Sequence, residues 1–301
     1  MKESAFAVTG PLPVYLVGPT GSGKSDLALQ LARLTGGEIV NADAFQLYHG
    51  LPVLTASPSP ADCAAVPHHL YGVLSPEETC HAGRYLELAR PVLADIAARG
   101  VLPIVVGGSG LYIKALTHGL SEAPASQPGL RARLDQLSQG ELSRILIHLD
   151  PAATATIAGG NRRYIQRAVE ISLLAGRPAS SLRESWTADP PGLRGLFLIR
   201  SRQQLHERIH RRTEAMLQQG AIDEVTAVRK WSATSEKAIG AREIQQLTRG
   251  EIDQAACIAA IDLATRRYAK RQMTWFRREH WLLPVTEETG ALEIASFARL
   301  L

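Results

Sequence analysis

The chain has 301 residues, of which 45% are hydrophobic and 21% are charged, and its net charge is +4. This composition is typical of a globular protein with a large core, and it excludes a disordered chain, a collagen-like repeat and a small disulfide-stapled domain. Three cysteines are too few for a disulfide framework, no apolar run reaches the roughly 18 residues of a membrane span, and the first ten residues lack a signal-peptide pattern. We therefore expect a cytoplasmic protein that does not associate with membranes.

The first 120 residues alternate short apolar runs with helical patterns. Strands are predicted at residues 13–17, 38–41 and 102–106, and amphipathic helices at residues 24–34 and 85–99. This β-α-β order is typical of a parallel sheet with helices on both faces.

Two stretches rich in proline, glycine and serine, 121–129 and 176–195, flank a largely helical stretch. One more buried strand is predicted after them, at residues 196–199, and most of the remaining chain has a helical pattern. The sequence therefore predicts a discontinuous core interrupted by a helical insertion domain. The core comprises residues 1–120 and 195–301, and the insertion comprises residues 121–194.

A phosphate-binding motif lies between the first predicted strand and the first predicted helix. Residues 18–25 read GPTGSGKS and fit the pattern G-x-x-x-x-G-K-[ST]. The glycines let backbone N–H groups surround a phosphate, the helix N-terminus adds its dipole, and the Ser25 hydroxyl is suited to hold Mg²⁺. The predicted phosphate-binding residues are Gly18, Pro19, Thr20, Gly21, Ser22, Gly23, Lys24 and Ser25. We therefore predict an α/β fold with a P-loop NTPase-like parallel sheet flanked by helices and a helical insertion domain.

Two further side chains follow predicted strands, at the sheet edge where ligands bind in such folds. Asp43 suits a metal ligand or a general base, and its structural alternative is a turn or helix cap. Ser109 suits contact with a phosphate or a substrate, and its alternative is a turn before a helix. The strand before Ser109 ends in glycines rather than in the metal-binding acid of most P-loop ATPases, so the bound phosphate compound can serve as a leaving group.

The positive charge is carried by 27 arginines and only 6 lysines. Arginine matches phosphates and stacks on bases, so the bias favours a polyanionic partner, although a GC-rich genome would produce the same bias. Residues 265–278 contain six basic residues, no acidic residue and three aromatic residues. This pattern suits an RNA-binding surface, and its alternative is an amphipathic helix whose aromatic side packs in the core.

In order along the chain, these motifs resemble those of the tRNA dimethylallyltransferase family. Residues 18–25 match the family's G-P-T-[AG]-S-G-K-[ST] loop, residues 43–48 resemble its D-S-x-Q-x-Y motif with Ala44 in place of serine, and residues 107–112 resemble its G-G-T-G-L-Y motif with Ser109 in place of threonine. Ser57 stands where the family has a basic residue. The remaining matches lie at residues 67–70, 161–168, 239–243 and 265–277, so the resemblance covers about residues 12–281.

The resemblance implies transfer of a dimethylallyl group from dimethylallyl diphosphate to N6 of adenosine 37 in tRNA, with release of diphosphate. It implies that Asp43 is the general base, that Ser109 orients a substrate, that Arg212 reaches the diphosphate, and that Mg²⁺ is the cofactor. We expect the enzyme to be a monomer whose insertion domain contacts the anticodon arm. The implied tRNA contacts are Asp43, Ala44, Phe45, Gln46, Ser109, Arg131, Arg163, Tyr164, Ile165, Gln166, Arg167, Arg266, Lys270 and Arg271.

Two other functional classes remain open from the sequence. The same scaffold could serve a small-molecule enzyme, either an adenylate isopentenyltransferase or a P-loop kinase, or an RNA-binding module with a vestigial phosphate loop. The helical insertion and the basic segment at 265–278 favour tRNA over a free nucleotide. The intact Lys24, Ser25 and Asp43 argue against a vestigial site. A cluster of cysteines and histidines at 63–81 fits no standard zinc-ligand spacing, which favours packing roles.

Overall fold

One parallel sheet of six strands organises the fold. The computed structural model describes residues 10–120, 123–157, 160–182 and 189–286. The strand order in the sheet is β3-β2-β4-β1-β5-β6, and every neighbouring pair is parallel. The strands are β1 (Val14–Val17), β2 (Glu38–Asn41), β3 (His68–His69), β4 (Pro103–Gly107), β5 (Arg194–Leu198) and β6 (Leu282–Val285).

Helices fill the connections between the strands. Those that follow the first four strands are α1 (Lys24–Thr35), α2 (Pro52–Thr55), α3 (Pro60–Ala65), α4 (Ala82–Ala98) and α5 (Gly110–His118). The next four are α6 (Pro128–Asp135), α7 (Gln139–Leu149), α8 (Pro151–Thr156) and α9 (Arg162–Ala175). The last four are α10 (Arg202–Gln218), α11 (Ala221–Ala227), α12 (Ala241–Thr248) and α13 (Gln254–Phe276). No helix among the described residues is both long and apolar enough to cross a membrane.

The central strands separate two hydrophobic cores, because successive side chains of a strand point to opposite faces of the sheet. In β1, Tyr15 and Val17 belong to one core, while Val14 and Leu16 belong to the other. Helix α4 packs in the first core, and helix α1 packs in the second. Both faces of the sheet are therefore covered, as a parallel sheet requires.

The register of the strands brings three loops to one edge of the sheet. Val17 at the end of β1 pairs with Gly107 of β4, and Asn41 at the end of β2 pairs with Val106 of β4. The loops that follow β1, β2 and β4 therefore leave the sheet side by side. These loops carry the phosphate motif, Asp43 and Ser109.

The chain divides into two compact units. One comprises Met1–Thr117 with Pro191–Leu301, and the other comprises His118–Pro190. The limits predicted from the sequence, at residues 120 and 195, lie within a few residues of these. The second unit contains α6 to α9, and its own hydrophobic core includes Leu142, Leu146 and Val169.

The three strands and two helices predicted before residue 120 are present, with ends that differ by at most a few residues. The two edge strands, β3 and β6, are not predicted from the sequence. β3 has only two residues, too few for a recognisable alternation. β6 contains Pro284, which lacks an N–H donor and is tolerated in a sheet only where a ladder bond is dispensable, as at an edge.

Candidate active site

The phosphate loop joins β1 to α1 through a conformation that needs glycine. Gly21 and Gly23 have φ values of 79° and 92°, which other residues rarely adopt. A Cβ atom on Gly18 would lie 2.8 Å from the backbone oxygen of Leu198. The local sequence therefore permits a tight loop that exposes its backbone at the start of a helix.

Side chains from two distant helices hold this loop. Arg208 of α10 donates from Nε to the Gly21 oxygen at 2.9 Å. Gln272 of α13 accepts the Thr20 N–H at 2.9 Å and donates from Nε2 to the Gly108 oxygen at 3.0 Å. The loop backbone is thus fixed by the protein itself, and Gln272 connects it to the loop that carries Ser109.

A cleft of about 290 Å³ opens in front of the phosphate loop, and both cationic side chains and carboxylates line it. Lys24, Ser25, Arg208 and Arg212 all reach this cleft, as does Asp43. Arg212 donates from Nη1 to the Thr20 hydroxyl at 3.0 Å. Burial lowers the pKa of Lys24, Asp43 acts to raise it, and Arg212 acts to lower it. Partly desolvated cations gain most from an anionic ligand, so the cleft suits a diphosphate.

Asp43 lies just beyond β2, with one carboxylate oxygen engaged in a turn. Its Oδ1 accepts the N–H of Phe45 at 3.1 Å, and its own N–H donates to Oδ1 of the buried Asn41 at 2.8 Å. Within the described part of the chain, its Oδ2 forms no hydrogen bond. The turn predicted as the structural alternative is therefore present, and it leaves the second oxygen of Asp43 available at the cleft.

Ser109 and Tyr268 lie beside Asp43. The Ser109 hydroxyl accepts the N–H of Ala44 at 2.9 Å, so it supports the loop that carries Asp43. Burial raises the pKa of Tyr268, Asp43 raises it further, and hydrogen bonds with Ser109 and Gln272 act in the opposite direction. Tyr268 is thus a neutral phenol near the carboxylate. From the sequence, Tyr268 is only one of the aromatic residues of the basic-aromatic segment, residues 265–278, and its place in the site is not predicted.

The loop facing the phosphate motif lacks a basic side chain. Ser57 lines the cleft at the position where the family has a basic residue, and its hydroxyl is 3.0 Å from that of Thr55. Gln46, which also lines the cleft, donates from Nε2 to the Ala56 oxygen at 2.7 Å. In this chain the cations of the cleft therefore come from α1 and α10 rather than from this loop.

A smaller apolar cavity of about 50 Å³ adjoins the cleft. Thr20, Asp43, Thr55 and Arg212 line both spaces. The other residues around the cavity are Phe45, Leu54, Ile209, Thr213, Met216, Ile239, Ile261, Thr265 and Tyr268. The carboxylate of Asp43 therefore lies where the phosphate-loop cleft meets a mostly apolar cavity. This arrangement is suited to displacement of a diphosphate by a nucleophile that must lose a proton.

The basic-aromatic segment forms the second half of α13. Lys270 and Arg271 are exposed, and the Arg271 guanidinium lies 5.6 Å from the centre of the Tyr268 ring. Phe276 is buried. Arg266 is partly buried and donates to Oδ2 of Asp262 at 3.4 Å. Of the three basic residues predicted to bind tRNA here, Lys270 and Arg271 present their charges to solvent, whereas Arg266 is paired within the protein.

In the second unit, the predicted tRNA-binding residues differ in exposure. Arg131, Arg163 and Tyr164 are exposed. Ile165 and Gln166 are buried in the core of the unit. The two belong to the inner face of α9, so their side chains are withdrawn from the surface of the unit, and their contact with tRNA stays a prediction. The Arg167 guanidinium has partners within the protein, since it donates one hydrogen bond to Glu170 at 2.7 Å and another to the Pro124 oxygen at 2.7 Å.

The histidines of the 63–81 cluster have structural partners. His69 Nε2 lies 2.8 Å from Oε2 of Glu38, and His68 Nδ1 lies 2.7 Å from the Val66 oxygen. His81 accepts the Arg84 N–H at the start of α4. Among the described residues, no group of three or more cysteines, histidines or acids is arranged to hold a metal ion.

Known proteins share both the sequence and the fold of this chain. The family model described as IPP transferase matches residues 46–279, and the one described as isopentenyl transferase matches residues 13–68. The chain is 44% identical to a tRNA dimethylallyltransferase of Akkermansia muciniphila over 271 residues, which covers 90% of this chain and 92% of that protein. It is also 44% identical to a tRNA dimethylallyltransferase of a Caulobacter species, covering 88% and 89% of the two chains.

Solved structures agree with these relatives. A tRNA isopentenylpyrophosphate transferase of Staphylococcus epidermidis superposes with a TM-score of 0.69 at 26% identity, covering 96% of this chain and 98% of that one. A eukaryotic dimethylallyltransferase described as acting on tRNA superposes with a TM-score of 0.76 at 25% identity, covering 96% and 77%. With family-level identity over nine-tenths of its length and the expected α/β fold, the chain belongs to the tRNA dimethylallyltransferase family.

Proposed function

We propose that this protein transfers a dimethylallyl group from dimethylallyl diphosphate to N6 of adenosine 37 in tRNA and releases diphosphate. The observation that carries the proposal is the meeting of the phosphate-loop cleft, the apolar cavity and the half-engaged carboxylate of Asp43. Each of these three features corresponds to one part of the reaction: the leaving group, the transferred group and the proton.

Asp43 acts as the general base. The lone pair of N6 forms a bond to C1 of the dimethylallyl group, while the C1–O bond breaks and its electrons leave with the diphosphate. The N6 proton passes to Asp43 as the C–N bond forms, because an exocyclic adenine amine is a poor nucleophile and its nitrogen becomes acidic as its lone pair is used. The Asx turn through Phe45 fixes Oδ1 and leaves Oδ2 to accept this proton.

The cations of the cleft stabilise the negative charge that gathers on the departing diphosphate. Lys24 and Arg212 act there together with the backbone N–H groups of the glycine-rich loop. Mg²⁺ would supply further charge neutralisation when bound to the diphosphate. Ser25 in the first turn of α1 is suited to hold it, since Mg²⁺ takes few protein ligands and several phosphate oxygens.

The RNA substrate must present a flipped base, because a stacked adenine cannot reach a carboxylate inside a cleft. Ser109 is assigned to orient the amine, in the position of the family's threonine. The side chains proposed to contact tRNA in the core are Ala44, Phe45, Gln46, Lys270 and Arg271, and in the insertion Arg131, Arg163 and Tyr164. We further propose that the enzyme is monomeric and works in the cytoplasm, where its tRNA substrate is found.

A transfer assay with labelled dimethylallyl diphosphate tests the proposal. The protein is incubated with unmodified tRNA, with the same tRNA carrying guanosine at position 37, or with AMP. Label is expected only in the first. Label in AMP alone would identify a small-molecule prenyltransferase, and strong ATP hydrolysis without tRNA would identify a kinase-like enzyme. RNA binding without transfer of any label would support the vestigial-site alternative.

A further inference from the structure

We propose that Leu54, Met216 and Ile261 close the inner end of the apolar cavity and thereby limit the transferred group to five carbons. The proposal rests on the proposed function and adds the donor specificity of the same site. It concerns the class of allylic diphosphate that the enzyme accepts.

The cavity begins where the diphosphate would be held. Thr20, Asp43 and Arg212 line both the cleft and the cavity. A diphosphate on Lys24 and Arg212 would therefore direct its carbon chain past Asp43 and into the cavity. C1 of that chain, the carbon that reacts, would lie at the entrance beside the base.

The lining of the cavity offers little to a polar ligand. Thr55 donates its hydroxyl proton to the Leu51 oxygen at 2.7 Å, and Thr265 donates its own to the Ile261 oxygen at 2.7 Å. The hydroxyl of Thr213 lies 2.7 Å from Oδ1 of Asp262. Away from Arg212 and Tyr268, an adenine placed here would leave its ring nitrogens without donors, which is costly in a buried site. An allyl group has no such requirement.

The tips of three cavity-lining side chains converge around Gly240. A methyl group built on Gly240 would lie 2.9 Å from Cδ1 of Leu54, 3.5 Å from Cε of Met216 and 3.7 Å from Cδ1 of Ile261. Their side chains are between 2% and 5% exposed. Gly240 itself has a φ of 99° at the start of α12, so a larger residue there would be strained as well as crowded.

A closed end of this kind sets an upper limit on chain length. Protein interiors are packed at the density of crystals, so a wall of buried side chains does not expand without cost. A ten-carbon geranyl chain must displace these side chains or leave its second isoprene unit in water. A five-carbon dimethylallyl chain requires neither the displacement nor the exposure to water.

The experiment compares dimethylallyl diphosphate with geranyl diphosphate as donors to tRNA. For wild type, kcat/KM with the geranyl donor is expected to be at least about 100-fold lower, in the range that hydrophobic pockets reach. Met216→Ala and Leu54→Ala are each expected to raise the geranyl-to-dimethylallyl ratio at least about tenfold. Because the readout is a ratio, a loss of stability that lowers both activities does not affect it.

Leu217→Ala is the matched control. Leu217 follows Met216 in α10 and is also buried, but it does not line the cavity. Its truncation removes a comparable volume from the same helix and is expected to leave the donor ratio unchanged.

The outcomes distinguish a failure of the donor-specificity proposal from a failure of the proposed function. Equal use of both donors by wild type, or an unchanged ratio in both Met216→Ala and Leu54→Ala, overturns the assignment of these side chains. Failure of wild type to transfer dimethylallyl to tRNA overturns the proposed function instead. In that case dissociation constants for the two donors' thiolodiphosphate analogues, measured without tRNA, still test the cavity: the same donor preference and the same shift in the variants are expected.

Discussion

Glu38 begins strand β2 and Asp43 lies two residues beyond its end, yet the two carboxylates differ in the partners that their oxygens have. Glu38 accepts two hydrogen bonds from the Arg99 guanidinium, at 2.6 and 2.7 Å, and has a third contact with the His69 ring at 2.8 Å. Asp43 uses one oxygen for a backbone N–H and forms no ion pair within 4.0 Å among the described residues. Of two acids five residues apart, one therefore has both carboxylate oxygens engaged and the other has only one engaged.

The difference distinguishes the carboxylate that stabilises the fold from the carboxylate that is available for catalysis. A carboxylate with both oxygens engaged connects elements of the fold, here β2, β3 and the end of α4. A carboxylate with an available oxygen beside buried cations can accept a proton from a ligand. The comparison predicts that changes at Asp43 will affect rate without stability, and that changes at Glu38 will affect stability without rate.

Asp43→Asn is expected to have the largest effect on activity. The amide oxygen can still accept the Phe45 N–H, so the turn is kept, but no proton acceptor remains. We expect kcat for transfer to fall about 10³-fold, within the usual range for loss of a general base, while tRNA and donor dissociation constants change less than about threefold. Single-turnover transfer and filter binding measure the two quantities. Normal turnover by this variant would show that another group takes the proton.

Arg212→Met is expected to have the next largest effect. It removes a desolvated cation from the cleft and the hydrogen bond to Thr20. We expect kcat/KM for the donor to fall about 100-fold, as when one electrostatic contact to a developing charge is lost. Arg212→Lys keeps the charge but not the planar fork, so it should recover only part of this loss. Full recovery by lysine would mean that charge alone matters there.

The phosphate loop could be predicted completely from the sequence because all its parts are contiguous: a strand, a glycine-rich turn and a helix start within residues 14–25. Asp43 and Ser109 could be predicted because parallel strands end at a common edge. Tyr268 and Gln272 could not be derived in this way. Gln272 meets Thr20 across 252 residues of chain, and only the docking of α13 brings them together. A helical pattern indicates which face is apolar, but not which loop that face will meet.

Helix packing also decides which of the predicted tRNA-binding residues of the insertion domain are exposed. Arg163 and Tyr164 are exposed while Ile165 and Gln166 are buried, although all four belong to one segment that resembles the family's tRNA-facing motif. The resemblance specifies a segment, whereas helix packing decides which side chains in it reach the surface. Gln166 in particular is polar but buried, and it donates a hydrogen bond to Asp135 at 2.6 Å. The sequence alone does not predict this hydrogen bond.

Ser109→Ala is expected to have a smaller effect than either change above. It removes the acceptor for the Ala44 N–H and so loosens the loop that positions Asp43. We expect kcat to fall about tenfold, near the net free energy of about 1 kcal/mol for one hydrogen bond. Ser109→Thr retains the hydroxyl and restores the family residue, so its kcat should stay within about threefold of wild type. A comparable loss in both variants would place the effect in packing rather than in the hydroxyl.

Glu38→Gln should have the smallest effect on activity and a distinct effect on stability. The hydrogen bonds from Arg99, and then those from His69, lower the pKa of Glu38 to about 2. Because the folded-state pKa lies below the ordinary value of 4.5, the stabilisation is fully present above about pH 4.5 and is lost as the pH falls through about 2.

Urea unfolding at neutral pH should therefore show Glu38→Gln less stable by about 1–2 kcal/mol, with the difference shrinking toward pH 3. Asp95→Asn is the control, since exposed Asp95 contacts the same arginine and should change stability by less than about 0.5 kcal/mol. A deficit in Glu38→Gln that did not depend on pH would mean that shape rather than charge holds β2 at this end. A parallel loss of transfer activity would remove the distinction between Glu38 and Asp43.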